Sequence, residues 1–179
     1  MIRGYPHLPS LYPGETLVLH VSCSSPGFRV TFYRQGERLD RMSGTAERRF
    51  PGVLLPDGPP DLDWGWRGYA IDIPADWPSG VYIAMLIEIA ADDSEIAPDT
   101  AASFATAAKA LFVLRHRGAV PPGTVLYKIS WATFVAYNGT GYGSLYTEAV
   151  WSRTQPNPGF KVTWKRPGCG TGGEVMPGD

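Results

Sequence analysis

The feature that most constrains this chain is the alternation of apolar and polar residues over short segments. In the segment from Thr16 to Cys23, every second position is apolar: Leu17, Leu19, Val21 and Cys23. Successive side chains of a β-strand point to opposite faces, so this spacing predicts a strand with one buried face. A chain built from several such segments folds into packed sheets.

Further segments have the character of strands and are separated by turn-forming residues. We predict strands over residues 28–34, 69–73, 81–89 and 108–115, with a shorter one within 49–54. Residues 81–89 are the most apolar of these, which predicts a central strand covered on both faces. The chain has 21 glycines and 17 prolines, and these residues supply the turns between strands.

The regular spacing of short strands and turns predicts an antiparallel β-sandwich of immunoglobulin or fibronectin type. The phrase from Asp76 to Tyr82 fits the start of a late sandwich strand, where a tyrosine hydroxyl often anchors a corner. We expect this sandwich to occupy residues 1–118, because Pro121-Pro122-Gly123 marks a hinge or an abrupt turn.

Residues 119–179 form a glycine- and tyrosine-rich extension with a different rhythm. We predict a strand over Val125 to Ile129, a helix over Trp131 to Tyr137, a glycine-rich loop, and a strand over Phe160 to Trp164. An α/β domain also begins with a strand that is followed by a helix and a loop. The extension is therefore expected to be the start of a second domain.

Charge and hydropathy exclude several classes of protein. The net charge is −1 with acids and bases mixed, so no basic surface for nucleic acid or for a membrane is expected. No apolar run reaches the roughly 20 residues that span a bilayer. Because the N-terminal residues lack the pattern of a signal peptide, we expect a cytoplasmic protein, or a secreted one if a leader has been removed.

Cysteines and histidines give little indication of a site. Two cysteines far apart define no disulfide framework; Cys23 is expected to be a buried thiol, and Cys169 lies in a glycine-rich stretch. His7, His20 and His116 are dispersed, without the spacing of a metal-binding motif. We expect His20 to lie at the surface or at an edge, because it is on the strand face opposite Leu19.

Three motifs in order along the chain suggest a family. The first combines Gly4-Tyr5-Pro6 with the segment from Tyr12 to Ser22, and the second runs from Asp76 to Ala84. The third runs from Trp131 to Tyr146 through Ala136-Tyr137-Asn138. Together they resemble the large subunit of N,N-dimethylformamidase and its relatives, in which a β-sandwich region precedes a catalytic α/β domain.

The resemblance covers residues 4–146 and implies a chemistry. It implies amide hydrolysis at a mononuclear iron held by tyrosines and a glutamate, with Tyr137 matching a ligand tyrosine. It also implies partners: the remainder of a longer polypeptide or a catalytic subunit, and a homo-oligomer is a further expectation. Iron is therefore the expected cofactor if the family site is complete, and no cofactor is expected for this chain alone.

The aromatic and glycine-rich third motif holds most of the candidate ligand-binding residues. These are Trp131, Asn138, Tyr142 and Tyr146, beside Tyr137 as the candidate metal ligand. Phenolates bind hard ferric ions and glycines let backbone approach a ligand, which favours a site. The alternative is that the tyrosines fill a core or a seam between domains, with their hydroxyls bonded locally.

Trp64 and Trp66, on either side of Gly65, are a separate candidate, because aromatic rings stack on the apolar faces of sugars. More often such residues pack a sandwich. Three functions remain open: a non-catalytic accessory region for packing, assembly or small-ligand binding; a metal-dependent amide hydrolase; and a carbohydrate-binding module.

Overall fold

The structure is a computed structural model, and it describes residues 1–45, 48–96, 109–141, 143–145 and 161–168. Nine strands and one helix are described. They are β1 (Ile2–Pro6), β2 (Ser10–Leu11), β3 (Thr16–Cys23), β4 (Gly27–Gln35), β5 (Leu39–Arg41), β6 (Phe50–Pro51), β7 (Gly68–Asp72), β8 (Gly80–Ile89), β9 (Lys109–Leu114) and α1 (Trp131–Tyr137).

The strands form two sheets, which makes the chain a mainly β protein with the architecture of a sandwich. The first sheet has the order β1-β3-β7, and the second has the order β2-β9-β8-β4-β5 with β6 beside β4. Every pairing between strands is antiparallel except that of β2 with β9. The predicted fold class, an antiparallel β-sandwich with a short C-terminal extension, is confirmed at this level.

The alternation in the sequence places the core. In β3, Leu17, Leu19 and Val21 are buried, and in β4 the alternating residues Phe28 and Phe32 are buried too. Side chains from both sheets join one cluster, in which Phe32 meets Trp77 and Phe112 edge to face. Removing this apolar surface from water is the main stabilising contribution, roughly 25 cal/mol per Å².

A tyrosine anchors the turn into β8, as the sequence predicted. The Tyr82 hydroxyl donates a hydrogen bond of 2.6 Å to the Pro78 carbonyl, and its ring stacks on Trp77 at 5.2 Å. The Trp77 indole in turn donates to the Ser43 carbonyl at 2.9 Å. Burial raises the pKa of Tyr82, so this hydroxyl remains a donor at neutral pH.

Part of the outer face of the first sheet, at β1 and β3, is covered as well. Tyr5 lies opposite His20 in the β1–β3 register, and both project away from the core that Leu19 enters. The Tyr5 ring stacks on His20 at 5.0 Å and contacts Trp66 at 5.9 Å, leaving Tyr5 1 % exposed and Trp66 3 % exposed. A second aromatic layer therefore lies outside the sandwich core.

Three predictions about strands need correction. Strand β8 is central but alternates between buried and half-buried residues, so its outer face is only partly covered. The strand predicted over Val125–Ile129 is wrong: Val125, Leu126 and Tyr127 are 87 %, 93 % and 77 % exposed, without strand pairing among the described residues. The described part of the strand predicted over Phe160–Trp164 is likewise irregular, because an apolar sequence still needs a hydrogen-bonded neighbour to form a strand.

The predicted helix over Trp131–Tyr137 is confirmed as α1. It ends where Asn138 adopts an extended backbone, while the Asn138 N–H still bonds to the Phe134 carbonyl at 3.1 Å. The Leu145 N–H then returns to the Ala136 carbonyl at 2.9 Å, so the glycine-rich loop folds back on the helix. Within the described part of the chain, no helix has the length and hydropathy to cross a membrane.

Candidate functional site

Residues 56–66, here called the tryptophan loop, connect β6 to β7 and cover the part of the outer face of the first sheet around Tyr5 and His20. The Trp66 indole donates a hydrogen bond to the Pro56 carbonyl, and the Trp64 indole donates one to the Pro59 carbonyl, each at 2.9 Å. The two indole rings lie 5.2 Å apart. Both indole N–H groups are therefore satisfied by the loop itself, which fixes the orientation of the rings.

Residues 138–141, 143–145 and 161–168, here called the C-terminal cap, pack on this loop. The Trp64 N–H donates to the Lys165 carbonyl at 3.3 Å, and the Thr163 N–H donates to the Pro60 carbonyl at 2.9 Å. These backbone bonds join segments about a hundred positions apart. The sandwich and the extension are thereby held together at a defined place.

Gly141 is the point of closest approach between the cap and Trp64. It has a φ of +84°, and a Cβ added there would lie 2.9 Å from Trp64 Cζ2 and 2.8 Å from the Gly58 carbonyl oxygen. Only glycine meets both the left-handed backbone and the lack of space. The glycine-rich motif is thus used here for contact between parts of one chain.

The guanidinium of Arg166 organises the interior of the cap. It is 0 % exposed and donates to four backbone carbonyls: Asn138 at 2.8 Å, Gly143 at 2.9 Å, Thr163 at 3.1 Å, and Thr140. The rigid fork of donors on arginine suits several fixed acceptors at once. Because buried carbonyls need partners, the path of the glycine-rich loop depends on this one side chain.

Asn138 connects the same loop to the end of the cap. Its side chain is fully buried, donates from Nδ2 to the Pro167 carbonyl at 2.8 Å, and accepts at Oδ1 from the Thr140 N–H at 3.0 Å. A Cβ added at Gly168 would lie 2.8 Å from that Oδ1. In this structure Asn138, one of the predicted ligand-binding residues, makes hydrogen bonds within the protein.

Ion pairs surround the junction. Lys165 Nζ lies 2.9 Å from Asp63 Oδ2, and Arg3 pairs with Asp57 near the start of the tryptophan loop. Burial acts to raise the pKa of Asp63, but the hydrogen bonds from Lys165 and from the Gly65 N–H outweigh it and hold that pKa below its ordinary value. The carboxylate is therefore ionised at neutral pH and attracts Lys165.

Of the other residues predicted from the third motif, the structure describes Trp131 and Tyr137, which lie at opposite ends of α1. Tyr137 is 58 % exposed at the end of α1, and Trp131, at the start of α1, is half-buried. The Trp131 indole nitrogen is buried and has no hydrogen-bond partner among the described residues. Tyr142 and Tyr146, as well as Cys169, lie outside the described residues.

Among the described residues, no group of three or more His, Cys, Asp or Glu side chains could hold a metal ion. Cys23 is a buried free thiol, as predicted, and burial raises its pKa. Trp64 and Trp66, predicted as a platform for sugars, lie under the cap and at the sheet face respectively. Gly141 lies close to the Trp64 ring at Cζ2.

Sequence reasoning missed Arg166, because an arginine in a Pro- and Gly-rich tail is typical of exposed loops. It also missed the meeting of His7 and His20, whose rings lie 5.3 Å apart. The histidine pair could have been found by placing Gly4-Tyr5-Pro6 as a strand beside β3. The buried role of Arg166 had no recognisable signal in the sequence.

A β-sandwich with a glycine-rich cap on its tryptophan loop is the class of protein that the fold and the junction define. The family model described as N,N-dimethylformamidase beta subunit-like, C-terminal, matches residues 27–178. The chain therefore belongs to the N,N-dimethylformamidase beta subunit-like family, and the resemblance of its motifs is confirmed. No curated protein matches the chain.

The match includes the cap and most of the sandwich. It extends beyond Tyr146, where the motif resemblance ended, and it starts at the first residue of β4. The description of the family model refers to a C-terminal region, whereas the motifs suggested a sandwich in front of a catalytic domain.

Proposed function

We propose that this chain is a non-catalytic accessory region of an N,N-dimethylformamidase-like amidohydrolase. Its sandwich holds the cap, and with it α1 and the glycine-rich loop, in a fixed position for a catalytic subunit or for the remainder of a longer polypeptide. The family description names a subunit, which supports a partner of this kind. The observation that carries the proposal is the cap bound to the tryptophan loop.

The contacts at this junction favour assembly over catalysis. The indole and guanidinium donors at the junction bind backbone carbonyls of the chain, and the Asn138 side chain bonds to backbone groups. A catalytic centre instead needs a nucleophile, a base or a metal directed at a substrate. Side-chain donors whose hydrogen bonds are satisfied within the chain make the junction rigid, as a supporting role requires.

We also propose an immunoglobulin-like arrangement for residues 1–118, with residues 119–179 as a separate unit. The first sheet joins the first, third and seventh strands, and the second sheet joins β4, β8 and β9 with short strands at its edges. This order and the Tyr82 corner are features of immunoglobulin domains. Residues 115–128 are all exposed, which supports a linker between the two units.

The alternative is an iron-dependent amide hydrolase that uses Tyr137. In its favour, the Tyr137 side chain is 58 % exposed and accessible for ligation or for an interface. Two measurements distinguish the proposals: the iron content of the purified full chain, and its hydrolysis of N,N-dimethylformamide. We expect neither iron nor turnover. Stoichiometric iron that is lost in Tyr137→Phe would overturn the accessory role.

The supporting role is tested by Trp64→Ala in the full chain, followed by hydrogen–deuterium exchange. We expect faster exchange in residues 138–145 and 161–168, with strands β3, β4 and β8 unchanged. Leu62→Ala, an exposed position in the same loop, is the matched control and should leave exchange in the cap as it is. Unchanged exchange of the cap in Trp64→Ala would remove the basis of the proposal.

A further inference from the structure

His7 and His20 meet on the outer face of the first sheet. His7 follows β1 and its N–H bonds to the Val18 carbonyl at 2.8 Å, so it continues the antiparallel register in which Tyr5 faces His20. Residues two positions apart on a strand share a face, so His7 lies diagonally across from His20. Their facing nitrogens, His7 Nδ1 and His20 Nε2, are 3.0 Å apart.

The hydrogen bonds determine which nitrogens carry protons. His20 Nδ1 lies 2.5 Å from the Trp66 carbonyl oxygen, which can only accept, so His20 Nδ1 bears the hydrogen. His20 Nε2 then has a free lone pair directed at His7. A histidine that donates from one nitrogen to a backbone carbonyl and presents the other is the usual arrangement of a metal-ligating histidine.

We infer that His7 and His20 form a binding site for one divalent transition-metal ion, of the group Cu²⁺, Ni²⁺ and Zn²⁺. Imidazole nitrogens ligate these metals at roughly 2.0–2.1 Å. Two nitrogens that bind one metal ion at a right angle are about 2.9 Å apart, and the distance between His7 Nδ1 and His20 Nε2 is 3.0 Å. A right angle between neighbouring ligands suits the tetragonal geometry of Cu²⁺. On binding, the hydrogen that His7 Nδ1 donates to His20 Nε2 moves through solvent to Nε2 of His7, and the exposed His7 ring turns so that both lone pairs point at the ion.

The surroundings of the pair support this assignment. His7 is exposed, so its ring can turn and an ion can reach it, whereas His20 is held by Trp66 and by the stacked Tyr5 ring. The Asp63 carboxylate interacts electrostatically with His20 and adds negative charge near the ion. Water completes the coordination, since no third His, Cys, Asp or Glu of the described residues joins the pair.

The test is a titration of the purified full chain with Cu²⁺, followed by calorimetry and electron paramagnetic resonance. We expect one equivalent to bind, with a spectrum that shows two nitrogen ligands. Zn²⁺ should compete for the same site more weakly, in the usual order of metal affinities. His7→Gln and His20→Gln should each weaken binding by about tenfold or more, because either change removes one of two protein ligands.

His116→Gln is the matched control. It removes the third histidine of the chain, which lies in the linker and contacts the Ala119 carbonyl, and it should leave binding unchanged. If His20→Gln does not fold, His7→Gln decides the question, because His7 is exposed. The inference is overturned if His7→Gln binds Cu²⁺ as tightly as the parent, or if His116→Gln loses as much. Tyr137→Phe should bind Cu²⁺ normally, which separates this site from an iron site.

Discussion

The sandwich and the C-terminal cap are stabilised in different ways. The sandwich buries apolar side chains in alternation, and its core is dominated by rings such as Phe32 and Phe112. The cap has at its centre a buried arginine, a buried asparagine and backbone carbonyls. Apolar burial is not directional, whereas a hydrogen bond needs its partner at a fixed distance and angle. The sandwich is therefore expected to respond to the loss of buried volume, and the cap to the loss of single polar partners.

The largest effect is expected in the sandwich core. Phe32→Ala removes a fully buried ring that packs on Trp77 and Phe112, and should lower the free energy of unfolding by about 3–5 kcal/mol. Urea denaturation followed by circular dichroism measures this loss. Tyr33→Ala, the half-buried neighbour on the outer face of β4, is the control. An equal loss in both variants would contradict the assignment of faces.

The next effect isolates the cap. Arg166→Met keeps an apolar stem but leaves the carbonyls of Asn138, Thr140 and Gly143 without their donor, at a cost of about 3 kcal/mol to the closed cap. Hydrogen exchange should accelerate in residues 138–145 while the sandwich keeps its urea midpoint. Lys161→Met, at an exposed position, should change neither. A drop in the midpoint equal to that of Phe32→Ala would show that the two regions unfold as one.

A pair of glycines separates backbone strain from contact with Trp64. Gly141 and Gly123 have φ values of +84° and +83°, but only Gly141 has neighbours within 4 Å of an added Cβ. Alanine at either position costs about 1 kcal/mol for the left-handed backbone. Gly141→Ala should cost about 1–2 kcal/mol more, the usual range for overpacking, measured as faster exchange of the cap. Equal effects of the two substitutions would mean that the Trp64 ring can move away from the added methyl group without a loss of stability.

The smallest effect concerns the ion pair at the edge of the junction. Lys165→Met should weaken the cap by about 0–1 kcal/mol, because both Lys165 and Asp63 are partly exposed. Since the folded pKa of Asp63 is lowered, the stabilisation by Lys165 is present at neutral pH and is lost as pH falls through that pKa. Exchange of the cap in both proteins, compared at neutral and acidic pH, checks this. If the two proteins still differ in the exchange rate of the cap at acidic pH, the effect of Lys165→Met comes from packing of the lysine side chain and not from the ion pair.

Sequence alone predicted the sandwich well and the junction poorly. Strands β3, β4 and β7 follow from alternation, because period two has a direct physical meaning in a sheet. Strands β1 and β2 were not predicted, since Gly4 and Pro6 weaken any strand pattern. The segment from Val125 to Ile129 has the composition of a strand, yet strand formation depends on a hydrogen-bonded neighbour that no local pattern specifies.

The candidate site shows the same division. The glycine-rich motif, α1 and Asn138 were recognised from the sequence, and the family assignment that they supported is confirmed. The burial of Arg166, the contact between Gly141 and Trp64, and the pairing of His7 with His20 bring together distant parts of the chain. Arg166 and Asn138, for example, are 28 positions apart, and the two histidines are 13 positions apart. Such contacts depend on how whole strands and loops pack together. The local sequence around each contacting residue does not specify this packing.

The sequence by itself determined the class of fold, the inward faces of the long strands and the family, because periodicity and motif order are local properties of the chain. Only the tertiary structure decided where the cap lies and that the outer face of the first sheet has an aromatic layer of its own. The physical reason is that hydrogen bonds and close contacts require partners at fixed distances. Those partners come together only once the sandwich has formed.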